Sequence, residues 1–485
     1  MTTLNASFSE QFFSRKLSDL HYHGITTVNS SSTIQSAALL MATDKISIVF
    51  IIDSFKNLCG YITDITLRDK VLAKGISSQN QVLQIMEKNI ISIDQDAYLY
   101  EALLLMFQTK TRYLLVKNKE NYIGWISRTK ILMEQSNSPF IFIQSVRQAL
   151  DTFELSKKWR QVPDLVNRLI QQGLKASIIN QIITSIADTI TLRVIENVMH
   201  DLGPAPAKFV FFVLGSEGRE EQTLKTDQDN AIIYEDKANE HREEVRAYFL
   251  EFAEKISTQL DTIGIDFCKG GFMAKNPKWT HSLSHWKRNY LAWIQESSED
   301  TIMKYATFFD CRAIYGDFTL LEELKAYTDE QLMHASERFW VHMGENALKY
   351  EPPLTIFKGI KTVKVDGDKK INSKEMMNPI VDLVRVFALK NGVSPTNTGK
   401  RIALLRAKGV FSEKEAQELD HAYYYLMSLR LEKQAVQLMK KGAVVDNFIS
   451  LQELTKVQLV TLVEIFKVIK SFQLKVKVTF TNTIF

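Results

Sequence analysis

The stretch that decides the fold of this chain is FVFFVLGSEGREEQTLKTDQDNAIIYED, residues 209–236. Its first six residues are all apolar, as in a strand that is buried on both faces, and a turn with two glycines follows them. A second apolar run, AIIY, comes directly after the acidic segment TDQDN. Because alternate residues of a strand share one face, this order predicts a sheet that presents Asp227 and Asp229 side by side.

Two carboxylates on one strand face suit a pair of hard divalent cations. We therefore predict Asp227 and Asp229 as ligands of Mg²⁺, with Mn²⁺ as an alternative, and as the catalytic residues of phosphoryl or nucleotidyl transfer. The turn residues Gly215 and Ser216 and the cation Arg219 are predicted to hold the phosphates of a nucleoside triphosphate. The alternative interpretation is a surface turn with solvated acids, and it is the weaker one because the whole combination is rare.

Other polar residues near this stretch are weaker candidates. Asp266, in GIDFCKGG, is the nearest candidate for a third carboxylate, and the general base stays unassigned. Lys275 and Asn276 are candidate nucleotide contacts. His281 and His285 have the spacing for one helix face, but no further ligand is spaced to complete a zinc site, so a structural role is favoured.

The chain repeats itself near its start. One copy begins at Ile25 with ITTVNSSSTIQSAALLM, and the other begins at Ile91 with ISIDQDAYLYEALLLM. Each copy predicts an extended segment, an amphipathic helix, two apolar strands and a second helix. Since each copy alone leaves one face uncovered, the two copies are expected to pack together.

The stretch 209–236 resembles the core of bacterial nucleotidyltransferases with the pattern GSxGRxEQ and TDQDxA, found at the front of the PII uridylyltransferase and in a CBS-linked group. The segments FCKGGFMAKNPKW and FFDCRAIYGD are similar to motifs of that group. The resemblance implies a polymerase-β-like mixed sheet, with Gly215 and Ser216 at the triphosphate and Asp227 and Asp229 on Mg²⁺. The single His-Asp dipeptide, His200-Asp201, stands ahead of the transferase stretch and not behind it, where the PII enzyme has its phosphohydrolase domain, so that activity is not expected.

The repeat resembles a tandem CBS pair, which commonly holds an adenosine nucleotide. The residues at the family's ligand positions are Thr63 and Ser127. The family's ribose-binding Asp is replaced by Thr66 and Lys130, which removes a carboxylate acceptor. A structural or dimerising role is therefore the competing interpretation of the pair.

The last third of the chain has helical spacing of apolar residues, and it resembles the helical domain behind the transferase in the CBS-linked group. Four polar residues in these helices could bind the acceptor or cap a solvated face: Arg385, Arg401, Arg430 and Gln434. The predicted fold class is multidomain α+β. Its predicted parts are an N-terminal segment (1–19), the CBS pair (20–138), a helical segment (139–203), the transferase core (204–334) and a helical bundle for substrate binding (335–485).

Composition narrows the function classes. With 60 Lys and Arg against 56 Asp and Glu, the net charge of +4 does not favour nucleic-acid binding. Three cysteines favour no disulfide framework, which fits the cytoplasm of a bacterium, and we expect no membrane span. A homodimer is expected because CBS pairs often dimerise.

The leading hypothesis is a nucleotidyltransferase that moves a nucleoside monophosphate from ATP or UTP to a protein acceptor, with the CBS pair passing on a cellular signal. The first alternative is a catalytically inactive, nucleotide-sensing regulatory protein. The second is a transferase that acts on a small molecule.

Overall fold

The computed structural model describes residues 16–119, 121–133, 139–236, 241–355, 359–365, 367–439 and 445–481. The chain divides into two compact units, Met1–Phe142 and Ile143–Phe485. Most of the predicted N-terminal segment lies outside the described residues.

The first unit contains two three-stranded sheets of the same design. The first repeat contains β1 (Thr27–Asn29), α1 (Ile34–Thr43), β2 (Ile48–Ile52), β3 (Leu58–Thr63) and α2 (Asp64–Thr66), followed by a π-helical turn (Leu67–Leu72). The second contains β4 (Ser92–Asp94), α3 (Leu99–Gln108), β5 (Tyr113–Asn118), β6 (Asn121–Ser127) and α4 (Arg128–Met133). In both sheets the first strand runs parallel to the second, and the second runs antiparallel to the third.

Two equivalent glycines allow the segment that precedes each repeat to lie against a strand of the other repeat. Gly60 of β3 lies under the backbone of Glu87, and a Cβ there would be 2.8 Å from its carbonyl oxygen. Gly124 of β6 lies in the same way under His23, also at 2.8 Å. The segment before each repeat thus crosses a strand of the other, and the sheets share a buried cluster of Ile48, Phe50, Leu115 and Trp125. The predicted packing of the two copies is confirmed.

The second unit begins with helices. The division between the units falls in α5 (Pro139–Arg147), and α6 (Thr152–Trp159), α7 (Val162–Gln171) and α8 (Ala176–Leu202) follow. By length and composition alone α8 could cross a membrane, and 61% of its apolar window is buried in the structure. It ends at Gly203, whose positive φ of 82° terminates the helix.

A mixed sheet of four strands forms the centre of this unit. The strands are β7 (Phe209–Val213), β9 (Asn230–Tyr234), β11 (Thr280–Ser282) and β12 (Arg312–Gly316). Their order in the sheet is β11-β9-β7-β12. Two further short strands, β8 (Asp227–Gln228) and β10 (Asp266–Phe267), pair with each other in parallel. Along the chain, β8 directly precedes β9, and β10 precedes β11. The associated helices are α9 (Gly215–Gly218), α10 (Arg242–Ile263), α11 (Leu283–Gln295), α12 (Glu299–Tyr305) and α13 (Thr319–Met333).

The C-terminal region is mostly helical, as predicted, and the α+β fold class is confirmed. Its helices are α14 (Glu337–Leu348), α15 (Ser373–Lys390), α16 (Thr398–Ala407), α17 (Glu413–Met439) and α18 (Lys456–Val476). A small antiparallel sheet was missed: β13 (Val363–Val365), β14 (Asp368–Asn372) and β15 (Phe448–Ser450). Its strands are short and β15 lies far along the chain from β14, so periodicity does not reveal it.

Candidate active site

The side chains of the acidic segment TDQDN alternate between two orientations. Gln228 and Asn230 point into the protein: Gln228 Nε2 donates to the carbonyl oxygens of Ser257 and Ile265 at 3.0 and 2.9 Å, and Asn230 Oδ1 accepts from the Ala274 N–H at 2.9 Å. The alternate residues, Asp227 and Asp229, are half-buried. The strand is interrupted at Asp229, where pairing passes from β10 to β7.

Asp227 and Asp229 converge with Cys268, which directly follows β10. One ligand atom of each residue lies within 4.8 Å of those of the other two. Burial, and after it the charge of Asp227, raises the pKa of Asp229 to about 7. Burial, and after it the Asp229 carboxylate, raises the pKa of the Cys268 thiol to about 12. The site is therefore crowded with negative charge that a bound cation would neutralise.

The residues present fit a divalent cation. Asp229 Oδ1 is buried and accepts no hydrogen bond in the part of the chain that the structure describes. Gly215, with a φ of +58°, leaves the other side of this carboxylate open, since a Cβ there would lie 3.1 Å from Asp229 Oδ2. A buried carboxylate oxygen without a partner is costly, and a metal ion would satisfy it.

Ser216, Asp227 and Arg219 line a small cavity of about 60 Å³ between the sheet and the C-terminal helices. Lys374 at the start of α15 and Arg430 in α17 line it from the other side. Lys374 is exposed and forms no ion pair among the described residues. Arg430 is deeply buried, which lowers its pKa to about 10, while the charge of Asp227 counteracts this effect. The cavity therefore combines metal-binding carboxylates with cations suited to phosphates.

The Arg219 side chain pairs with two carboxylates at the turn, and its expected contact with phosphate stays a prediction. Its Nε donates to Glu221 Oε2 at 2.7 Å, and its Nη1 donates to Asp310 Oδ2 at 2.8 Å. Its side chain is only 11% exposed. The guanidinium is thus used first to fix the turn, because two buried carboxylates compensate its charge.

The same carboxylate, Asp310, organises a buried charge cluster. It also accepts from Arg385 Nη2 and Arg401 Nη1, both at 2.6 Å. Burial alone would raise the pKa of Asp310, but the three guanidinium groups outweigh this effect and hold the pKa below its usual range. Arg385 also pairs with Asp382. Two of the four polar residues singled out in the C-terminal helices therefore bind the transferase core rather than a solvated face.

The C-terminal region also holds the glycine turn by its backbone. Thr396 Oγ1 donates to the Gly218 carbonyl at 2.7 Å, and Asn397 Nδ2 donates to the Arg219 carbonyl at 2.9 Å. Gln434, fully buried in α17, accepts from the Lys225 N–H at 3.3 Å. These contacts fix the turn and the TDQD segment against the helices.

The Asn276 side chain makes hydrogen bonds within its own segment, and its expected contact with a nucleotide stays a prediction. Its Oδ1 accepts from the Lys278 N–H at 3.1 Å, and its Nδ2 donates to the Gly271 carbonyl at 3.1 Å. Both ends of the amide are thereby used to shape the glycine-rich segment. Lys275 likewise lies over the ring of Phe267, 3.7 Å from its centroid.

Asp266 is next to Asp227 in the register of β10 and β8, and it is exposed. It lines a larger cavity of about 690 Å³ together with Lys225 and Arg160. His281 and His285 stack on each other with their centroids 3.6 Å apart, and burial, followed by the charge of His285, lowers the pKa of His281 to about 3. Among the described residues they form no cluster of three or more potential metal ligands, and the structural role favoured from the sequence stays a prediction.

In the first unit, Thr63 and Ser127 cap helices. Thr63 Oγ1 accepts from the Thr66 N–H at 3.1 Å, and Ser127 Oγ accepts from the Lys130 N–H at 3.2 Å. The two repeats use equivalent hydroxyls in the same way, and a nucleotide contact at these positions stays a prediction.

Three family models match the chain. "CBS domain" matches residues 17–73 and 82–137, "Putative nucleotidyltransferase DUF294" matches 160–300, and "Putative nucleotidyltransferase substrate binding domain" matches 337–480. The matches follow one another along the chain without overlap, and together they contain both halves of the cavity described above.

The curated relatives match a smaller part of the chain than the three family models do together. The CBS domain-containing protein CBSCBSPB2 of Arabidopsis thaliana is 29% identical over 121 residues, 25% of this chain and 23% of its own. The chain thus spans about a quarter of that relative's length. YhcV of Bacillus subtilis, another CBS domain-containing protein, is 25% identical over 114 residues, 24% of this chain and 81% of its own. An uncharacterized conserved protein from Pyrococcus horikoshii has 19% identity and a TM-score of 0.25, covering 26% of this chain and 96% of its own.

Proposed function

Because the chain belongs to the CBS-linked nucleotidyltransferase-like family, we propose that its second unit transfers a nucleoside monophosphate from a nucleoside triphosphate to an acceptor hydroxyl. The observation that carries this proposal is the convergence of Asp227 and Asp229 beside a cavity lined by Ser216, Lys374 and Arg430. Carboxylates and cations next to one another are what a metal-bound triphosphate needs.

In this reaction the acceptor oxygen forms a bond to the α-phosphorus, the bond from that phosphorus to the bridging oxygen breaks, and pyrophosphate leaves. Asp227 and Asp229 would hold Mg²⁺, which when bound would neutralise the charge of the phosphates and lower the pKa of the acceptor hydroxyl. Lys374 and Arg430 hold the phosphates that leave, and Ser216 donates its hydroxyl to them. The buried cluster around Asp310 holds the turn rigid, so the donors are in place before the substrate arrives.

The acceptor proton goes to Asp266 in this proposal. Asp266 is paired in register with Asp227 and is exposed in the cavity of about 690 Å³, which is open to an acceptor group. Lys225 lines both this cavity and the small one, so the two adjoin. The acceptor in this proposal is a hydroxyl group on a protein side chain.

The test compares binding of ATP and of UTP, with and without Mg²⁺, in the wild type and in the Asp227→Asn, Asp229→Asn double variant. We expect tight, metal-dependent binding that the double variant loses. A Glu299→Gln, Asp300→Asn variant removes two exposed carboxylates of α12 and serves as the matched control. Equal binding without metal and in the double variant would place the nucleotide elsewhere and favour the sensor alternative.

The CBS pair binds an adenine nucleotide and regulates the transferase in the same proposal. The support is the paired fold of the first unit and the equivalent hydroxyls of Thr63 and Ser127. Calorimetry of AMP with the full chain and with a Thr63→Ala, Ser127→Ala variant tests it. Unchanged affinity in that variant would argue against these residues as ligands.

A further inference from the structure

The site contains a residue type that magnesium does not prefer. Cys268 follows β10, where Asp266 pairs with Asp227 and Phe267 pairs with Gln228. Continuing this register by one residue places Cys268 opposite Asp229. Its sulfur is among the three candidate ligand atoms that lie within 4.8 Å of one another.

Cys268 is buried and free of any disulfide. A buried free cysteine is often only a small apolar residue of the core. This one, however, faces two carboxylates, and one of them carries the buried oxygen Asp229 Oδ1 that has no partner in the described part of the chain. The Cys268 thiol also hydrogen-bonds the Asp229 side chain. The sulfur and this carboxylate therefore share one space, which favours a shared cation there over apolar packing of the thiol.

We propose that Cys268 supplies a third, sulfur ligand to one of the two cation positions, which therefore prefers a borderline cation of the Zn²⁺ class to Mg²⁺. The inference rests on the proposed function, because it concerns the same site. Magnesium takes oxygen ligands in octahedral geometry, whereas sulfur ligands select Zn²⁺ and similar ions. Two carboxylates and one sulfur leave a fourth position open, as in catalytic zinc sites, and a substrate phosphate can fill it.

A third carboxylate in such a site could either bind the metal or accept the proton of the acceptor. Here we assign these two roles to two different residues. Cys268 completes the metal site, while the exposed Asp266, two residues earlier, is left to accept the proton. The second cation position, without sulfur, takes the Mg²⁺ that arrives with the triphosphate.

The experiment titrates the metal-free full chain with Co²⁺ and Cd²⁺ and follows the absorption of sulfur-to-metal charge transfer. We expect about one equivalent of signal in the wild type and none in Cys268→Ser. Cys59→Ser, which changes a cysteine of the first unit, is the matched control and should keep the signal. Calorimetry with Zn²⁺ should give at least about a tenfold loss of affinity in Cys268→Ser. Cys268→Asp should shift the preference towards Mg²⁺.

The outcomes separate this inference from the proposed function. If Cys268→Ser binds Zn²⁺ as the wild type does and no charge-transfer signal appears, while the Asp227, Asp229 variant loses cation binding, Cys268 only packs and the transferase proposal stands. If no cation binding depends on the aspartates, both are overturned. Cys268→Ala provides a second variant, and circular dichroism checks that each variant is folded.

Discussion

Asp310 accepts a hydrogen bond of 2.6 Å on Oδ1 from Nη1 of Arg401, and neither side chain is more than 2% exposed. Asp310 lies just ahead of β12 of the central sheet, and Arg401 belongs to α16 of the C-terminal region. With Arg219 and Arg385 on the same carboxylate, the contact joins the glycine turn to the helices that complete the cavity. The two regions therefore form one structural unit around the site.

Asp310→Asn should destabilise the second unit strongly. Arg219 keeps Glu221 and Arg385 keeps Asp382, but Arg401 is left buried without a carboxylate partner among the described residues. We expect a cost of about 3–5 kcal/mol in the free energy of unfolding. Urea unfolding followed by tryptophan fluorescence measures it, since five of the six tryptophans lie in this unit. The exposed Asp300→Asn is the control and should change stability by less than about 0.5 kcal/mol. Equal stability of both variants would contradict the role given to the cluster.

Gly218→Ala should be poorly tolerated for a different reason. A Cβ at this position would lie 1.9 Å from the Asp310 carbonyl oxygen, so backbone would have to move. We expect a loss of about 3 kcal/mol or more in the free energy of unfolding.

Gly409→Ala is the control that distinguishes steric overlap, as expected at Gly218, from the strain of a positive φ alone. Gly409 has a φ of +72°, and a Cβ added there would meet no atom within 4 Å, so alanine costs about 1–2 kcal/mol from conformation alone. If Gly218→Ala were no more destabilising than Gly409→Ala in the same urea experiment, the close approach of the turn to Asp310 would be wrong.

The core of the site could be predicted because its signals are local. Five apolar residues in a row gave β7, and the spacing of two put Asp227 and Asp229 on one side while Gln228 and Asn230 turned inward. The turn at Gly215 was likewise recognisable, because its glycines and the strands that flank it are neighbours in the sequence.

The roles of Arg219 and Asn276 could not be predicted, because their partners are set by the tertiary fold or by loop geometry. Arg219 pairs with a residue 91 positions away, and nothing in the turn itself indicates that its charge is already compensated. Cys268 is one of three cysteines in the sequence, and the register of β10 with β8, which brings it to the aspartates, is set by the tertiary fold. The FFDCRAIYGD segment was a signal for Asp310, but it carried no information about the partners.

Stability should fall with acid partly through His281. Its folded pKa is lowered to about 3 from 6.5, so the unfolded chain takes up the proton first. The stability that the neutral ring contributes is present above pH 6.5 and is lost as the pH falls from there towards 3. His281→Gln should therefore lose less stability between about pH 7 and pH 5 than the wild type does. Urea unfolding at several pH values measures the difference, with the exposed His334→Gln as control. Parallel profiles for wild type and His281→Gln would contradict this prediction.

Lys374→Gln should weaken triphosphate binding without harming the fold. Lys374 is exposed at the first turn of α15, lines the small cavity, and its charge lowers the pKa of Asp229, which places it near the metal ligands. A charge-assisted hydrogen bond to phosphate contributes about 1.5–3 kcal/mol, so its loss should reduce affinity by roughly tenfold to a hundredfold. Calorimetry with ATP and UTP in the presence of Mg²⁺ measures this change.

Lys369→Gln is the matched control for Lys374→Gln. Lys369 is exposed on β14, five residues earlier, and it does not line the cavity, so its replacement should leave the affinity unchanged. Both variants change the net charge equally, and a general electrostatic effect would therefore weaken binding in both. A loss confined to Lys374→Gln, larger for triphosphate than for monophosphate, places the β- and γ-phosphates at α15. An equal loss for triphosphate and monophosphate would instead place the lysine at the α-phosphate and leave the leaving group to Arg430.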